Sequence, residues 1–353
     1  MKRYGYLYPA ICSTQNIQLA HKNARKGKLH YKEVQMVDEN PARHFRAIQE
    51  MLRNKTFQNS EYTVFVSTKG KRREIFKLPY YPDRIVHHCI MQVTGPIWTR
   101  SMIADTFSCI KNRGIHKAAD RVRAALRDKP GTRYCLKCDV KQFYPSIDHD
   151  VLKAIIRRKI KDPELLWLLD AIIDSAPGVP IGNYLSQQFG NLYLTGMDHW
   201  LKEEKRCKYY FRYCDDMVVL HRDKERLGEL REEMQDYLGA KLKLRLKENW
   251  QIFPVDSRGI DFLGYRFFHD YILLRKGIAI KFKRRMRYIK NHWRHMRSIE
   301  VVSAVMSYYG WLQYANSLNL IKRHIDDDIV GIVTEVCKRR NMKNPILRVV
   351  GCR

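Results

Sequence analysis

Apolar residues recur along this chain at two spacings. Val151, Leu152, Ile155, Ile156 and Ile160 fall on one face of a helix, as do Leu227, Leu230, Met234 and Leu238, because 3.6 residues per turn stack such positions. RYCLKCDV (133–140) instead alternates apolar and polar positions, the mark of a half-buried strand. EYTVFVST and REIFKLP flank Lys69-Gly70 and predict a hairpin with a glycine turn. CKYYFRY and MVVLH flank Cys214-Asp215-Asp216 and predict a second, tighter hairpin. Helices are expected over residues 1–60, over 83–98 and 116–127, and over 184–204 behind a loop with Pro180 and Gly182. Short strands are expected after the 227–238 helix as far as about residue 280, then helices to the end. The order predicts an α+β sheet domain followed by a helical domain.

Charge narrows the partner. Sixty-six Lys and Arg stand against 37 Asp and Glu, a net charge of +29, and a polyanion is the natural counterpart of such a surface. A merely basic, ribosomal-type protein is the plainer alternative. Residues 21–32 carry five Lys/Arg and no acid, and Lys69, Lys71, Arg72 and Arg73 crowd the first hairpin's tip. That tip is either a solvated charge run or a grip for a triphosphate. Residues 281–297 hold eight Lys/Arg and no acid, with Tyr288 and Trp293 among them. No strong apolar face is expected beside that basic run, which argues against a membrane surface. A transmembrane helix and a secretory signal are not expected. Nine cysteines, an odd number, point to reduced thiols in the cytosol. Cys135 and Cys138 form a CxxC with no second pair at finger spacing, so they are expected to be structural rather than zinc ligands.

The carboxylates suggest chemistry. Asp139 ends a predicted strand, and Asp215-Asp216 sit at a hairpin turn between apolar runs. Adjacent carboxylates repel and call for a cation. Magnesium takes one or two carboxylates plus substrate phosphates, and two such ions can activate a hydroxyl and stabilise a pyrophosphate leaving group. Asp-Asp pairs also occur at turns for plainer reasons, capping a helix or facing water.

The surrounding motifs carry a resemblance. YCDD (Tyr213–Asp216) between apolar strands resembles the YxDD hairpin of reverse transcriptases, and CDVKQFYPSID resembles their first catalytic strand. REIFKLPYYPDRIVHHCI is similar to the fingers-to-palm motif, and LKLRLKENW and GIDFLGYRF to the last palm motifs, all in the family's order from about residue 60 to 270. The resemblance implies a right-hand polymerase fold: fingers within 1–118 together with basic N-terminal helices and part of the palm, a palm with an antiparallel sheet at 119–275, and a helical thumb at 276–353. It implies an RNA-directed DNA polymerase using two Mg2+ ions, with Mn2+ as a possible substitute. Asp139, Asp215 and the Val140 carbonyl would bind metal, and Asp216 would stand beside the metals. Tyr144 would be the steric gate against a ribose 2′-hydroxyl, unless it is plain aromatic packing. Lys71 and Arg73 would meet the triphosphate. Lys247 would protonate pyrophosphate, unless it is a solvated strand lysine. In the thumb, Arg284, Arg285, Arg287, Lys290 and Arg294 would contact phosphate, with Trp293 or Tyr288 available for stacking.

One motif departs from most of the family. Ile181-Gly-Asn-Tyr-Leu-Ser-Gln187 puts isoleucine and glutamine where glutamine and proline are usual, and this resembles the reverse transcriptases of diversity-generating retroelements. That resemblance implies copying of an RNA template with errors opposite adenine. It also implies RNA/cDNA duplex and deoxynucleotides as ligands, a small basic oligomeric accessory protein as partner, and a cytoplasmic enzyme encoded by a bacterium or phage. Isoleucine lacks the amide that would orient the incoming nucleotide, an interaction worth ~1 kcal/mol. A group II intron or retron enzyme is the neighbouring alternative. A non-catalytic RNA-binding scaffold with a relic palm is the remote one.

Overall fold

The computed structural model describes residues 2–68 and 72–341. The chain forms two compact units: residues up to Gly114 with Cys138–Val219 and Gly228–Trp250 in one, and Ile115–Lys137, Leu220–Leu227 and the chain from Gln251 onward in the other.

In the first unit, helices Thr14–Ala24 and Pro41–Arg53 pack through Ile17, Ala20, Phe45, Ile48 and Leu52, all buried. Each begins on a polar cap, Ser13 accepting from Asn16 N and Asn40 from Arg43 N, which satisfies amides a helix start leaves open. Helical structure stops at Arg53, short of residue 60, where Lys55 turns into the left-handed region at φ 55°. Strands β1 (Thr63–Ser67) and β2 (Arg73–Lys77) pair antiparallel, Thr63 opposite Lys77 and Ser67 opposite Arg73. Val64, Phe65 and Val66 stand exposed on this ribbon. Its root is fixed where Phe76 N donates to the Ile181 carbonyl at 2.8 Å. Helix Ile85–Ser101 follows, then helix His149–Arg157 capped by Asp148 and helix Pro163–Ile173 capped by Asp162.

Strand β3 (Tyr134–Asp139) precedes β4 (Tyr209–Tyr213) and β5 (Asp216–His221), which the 214–215 turn joins. With β6 (Gln251–Pro254) they form a four-stranded sheet in the order β4-β5-β3-β6. Cys135 and Cys138 are buried thiols of β3. Helix Ser186–His199 is buried along most of its length.

The segment directly after helix Lys224–Leu242 is not the short strand expected there. Lys243 enters the left-handed region at φ 50°, and Leu244 N returns to the Leu238 carbonyl, closing the helix. Only Leu246 then forms a bridge, opposite Val140.

In the second unit, β7 (Ile260–Phe262), β8 (Tyr265–Phe267) and β9 (Ile272–Leu274) make an antiparallel meander. Strand structure ends at Leu274, and helix Lys276–His292 begins five residues before the basic run. The expectation that this run lacks an apolar face is corrected. Phe282, Met286 and Ile289 make one at i, i+4, i+7 and are fully buried, with Phe282 edge-on to Tyr308. Helices Ser298–Leu312, Leu318–His324 and Asp327–Arg339 complete the unit. No described helix is long and apolar enough to cross a membrane.

Candidate active site

The end of β3 and the β4–β5 turn meet at two carboxylates. Asp139 is held from its backbone, where Lys247 N donates to the Asp139 carbonyl at 2.8 Å and Lys141 N to the Arg245 carbonyl at 2.9 Å. These bonds flank the Val140–Leu246 bridge and leave the Val140 carbonyl out of it. Lys247 also reaches over with its side chain, Nζ to Asp139 Oδ2 at 2.5 Å. The other oxygen, Asp139 Oδ1, is buried without a hydrogen-bond donor. Asp215 lies beside it. Burial first and the Asp139 carboxylate second raise the Asp215 carboxyl to about 6, and Lys247 opposes the shift. When both acids are ionised there is no proton between them, which is why Asp139 Oδ1 finds no donor. A proton or a cation belongs in that position.

Two hard oxygen donors with an unsatisfied buried oxygen fit a divalent ion of the magnesium type. Among the described residues no group of three or more His, Cys, Asp or Glu is arranged to hold a metal. The structure therefore brings Asp139, Asp215 and Lys247 together. Asp216 opens β5, half-buried, as a strand residue outside any three-carboxylate cage. An ion held by two carboxylates keeps positions for phosphate oxygens.

Behind the turn lies a charge pair that the sequence did not signal. Arg212, 0% exposed, donates from Nε and Nη2 to the two oxygens of Asp198, at 2.7 and 2.5 Å. Its Nη1 donates to the Cys214 carbonyl at 2.9 Å and to Asn191 Oδ1 at 3.3 Å. Tyr210 OH and Thr106 Oγ1 donate to the same carboxylate. Burial works against the charged guanidinium, but Asp198 outweighs it and holds the group above its ordinary value. The arginine thus fixes the carbonyl of a turn residue, Cys214, that sits at φ 59°. An arginine in a strand reads as a surface residue, and its partner lies fourteen positions upstream on helix Ser186–His199.

A paired acidic turn on an antiparallel sheet is shared by several enzyme classes, and comparison with known proteins decides among them. Residues 39–267 match the family model described as reverse transcriptase (RNA-dependent DNA polymerase). The chain belongs to the reverse transcriptase family. It is 25% identical over 244 residues to protein YkfC of Escherichia coli K12, a match covering 56% of this chain and 64% of YkfC. It is 22% identical over 233 residues to the group II intron-encoded protein LtrA of Lactococcus lactis subsp. cremoris, covering 61% of this chain and 38% of LtrA. The match thus spans less than two thirds of either relative. Among solved structures, apo telomerase from Candida tropicalis superposes with a TM-score of 0.51 at 14% identity, covering 80% of this chain and 59% of that one. Telomerase from Candida albicans, with a fragment of telomeric RNA, gives 0.51 at 11% identity, covering 80% and 67%. At these identities the likeness is one of fold, and with the mixed helices and sheets above it makes this a right-hand polymerase fold.

The other residues singled out in this reverse transcriptase take varied positions. Tyr144 lies five residues beyond Asp139, its hydroxyl 3.1 Å from Cys214 Sγ and its carbonyl accepting from Val179 N at 2.9 Å. Ile181 is half-buried, tied to β2 through Phe76. Gly182 beside it stands at φ 128°, where a Cβ would collide with the Phe76 carbonyl oxygen, so glycine is needed there. Gln187 is exposed in the first turn of helix Ser186–His199. Arg73 is exposed at the start of β2 and takes no part in the hydrogen bonds of the carboxylate pair. Lys71 lies outside the described residues. Arg284, Arg287, Lys290 and Arg294 are exposed beside the buried face of the reverse transcriptase's basic helix, while Arg285 lies over the Tyr288 ring at 5.4 Å and Arg294 over Trp293 at 5.4 Å.

Proposed function

We propose that this chain is an RNA-directed DNA polymerase that makes cDNA from a template RNA at the Asp139–Asp215 pair. The observation that carries the reading is the approach of these two carboxylates, from segments 76 residues apart, with Lys247 Nζ on Asp139. Asp139 and Asp215 would hold Mg2+, with the Val140 carbonyl and Asp216 alongside. When bound, two such ions would supply a lowered pKa for the primer hydroxyl and stabilise charge on the departing pyrophosphate. Lys247 Nζ stands at the edge of this pair, placed to act as a general acid toward pyrophosphate. Tyr144 closes the site to a ribose 2′-hydroxyl. Lys71 and Arg73 would neutralise the triphosphate of the incoming deoxynucleotide. The exposed cations of helix Lys276–His292 and the residues after it would ride on the phosphates of the RNA/cDNA duplex.

The finer reading is a diversity-generating retroelement enzyme, error-prone opposite adenine and assisted by a small basic accessory protein. Ile181 supports it. The residue is anchored by its own carbonyl to β2, and an isoleucine side chain would offer an incoming nucleotide packing but no hydrogen bond. Similarity to LtrA over 233 residues favours the second reading, an intron-type reverse transcriptase. Sequencing cDNA made by the purified protein, with and without Ile181→Gln, separates the two. Substitutions concentrated at template adenines, and reduced by Ile181→Gln, support the retroelement reading. Errors spread evenly over the four bases, and unmoved by the change, favour the intron type.

A further inference from the structure

The ring of Tyr144 is held at both ends. On one side lies Gly190 of helix Ser186–His199, where an added Cβ would stand 3.1 Å from Tyr144 Cε1 and 3.0 Å from Phe143 Cε1. There is no room for a larger residue without moving the ring. At the other end the phenol hydroxyl meets Cys214 Sγ at 3.1 Å. Either group can donate in this hydrogen bond. Cys214 itself cannot drift, since Arg212 Nη1 holds its carbonyl and its backbone sits in the left-handed region.

We propose that Cys214 is a positioning residue for sugar discrimination: its thiol tethers the Tyr144 hydroxyl, so that the ring lies at a fixed depth against Gly190 and excludes a ribose 2′-hydroxyl. The inference rests on the reading of Tyr144 as the gate of a DNA polymerase. It assigns the second residue of the YCDD turn a task separate from the acids that follow it. A ring without its tether can swing about its Cα–Cβ bond, and the space beside the sugar opens intermittently.

The test is the ratio of kcat/KM for a deoxynucleotide over the matching ribonucleotide, on a primed RNA template. Parent, Cys214→Ala, Cys214→Ser, Tyr144→Phe and the Cys214→Ala/Tyr144→Phe double variant are compared. Because both substrates are measured on one preparation, loss of folded protein cancels. Cys214→Ala and Tyr144→Phe should each lower the ratio by roughly two- to tenfold, the worth of one buried hydrogen bond. Cys214→Ser, which keeps a hydroxyl within reach, should restore most of it. The double variant should fall no further than either single one. A parent that extends and discriminates, with Cys214→Ala showing the same ratio, overturns this inference alone. A parent that extends with neither sugar overturns the polymerase reading and this inference with it.

Discussion

The guanidinium of Arg212 and the carboxylate of Asp198 form a two-pronged ion pair with no exposed surface on either side chain. Two oxygens face two nitrogens, and the remaining donors go to Asn191 and to the Cys214 carbonyl. A buried pair of this kind does little for net stability when compared with an apolar replacement, but breaking it leaves a buried charge alone. Arg212→Met is therefore expected to lower the unfolding free energy by about 3–5 kcal/mol. The combined Arg212→Met/Asp198→Leu variant should recover part of that loss. Urea melts of the three proteins check the pattern.

His87 gives a pH dependence. It is buried, its Nε2 has no partner, and burial, then His88 and Arg84, hold it down at about 3; His88 is held at about 4 by burial and Arg84. An unfolded histidine titrates near 6.5. Between the folded and unfolded values the unfolded chain binds more protons, so stability is present above about pH 6.5 and drains away as pH falls toward 3. The cost is roughly a few kcal/mol across that window. His87→Gln should flatten the acid limb of thermal midpoint against pH, whatever it does to the midpoint at pH 7.

Asp215 works in the opposite sense. Its folded value, raised to about 6, lies above the ~3.9 of an unfolded aspartate. The protonated folded form is favoured, so this contribution is complete below pH ~4 and is lost as pH rises through about 6. Above that point a divalent cation would take the proton's place. Added Mg2+ or Mn2+ should raise the thermal midpoint clearly at pH 7.5 and little at pH 5, and Asp215→Asn should abolish the difference.

Lys247 is expected to act on turnover more than on binding. Lys247→Met should lower kcat by about 10²-fold, the usual scale for a positioned general acid, with a smaller change in KM. Lys247→Arg keeps the charge beside Asp139 but gives up a proton far less readily, so it should rescue folding without rescuing kcat. Rescue of kcat by Lys247→Arg, together with an unchanged pH profile, would argue for a purely structural lysine.

Much of this was readable in the chain because it rests on local rules. The period of Val151–Ile156 and of Leu227–Leu238 made helices, though Ile160 lies past the first helix's end and bridges to Tyr4, and the turn at Asp215 fell between two apolar strands as expected. The motif order from the first hairpin to GIDFLGYRF was enough to point to the family. The misses have physical causes. Residues 243–250 alternate like a strand, yet the left-handed turn at Lys243 and a helix-closing bond use the backbone first. The apolar side of the basic helix was masked by its arginines, since three residues at i, i+4 and i+7 suffice to bury it. Arg212–Asp198 and Tyr144–Cys214 are tertiary pairs, and nothing in local periodicity encodes a partner on another element.

The most direct test is single-nucleotide addition to a DNA primer on an RNA template, with Mg2+, by the parent and by Asp139→Asn and Asp215→Asn. The account predicts extension by the parent and a loss of at least about 10³-fold in each variant, with circular dichroism unchanged. Extension at the parent rate by either variant would contradict it.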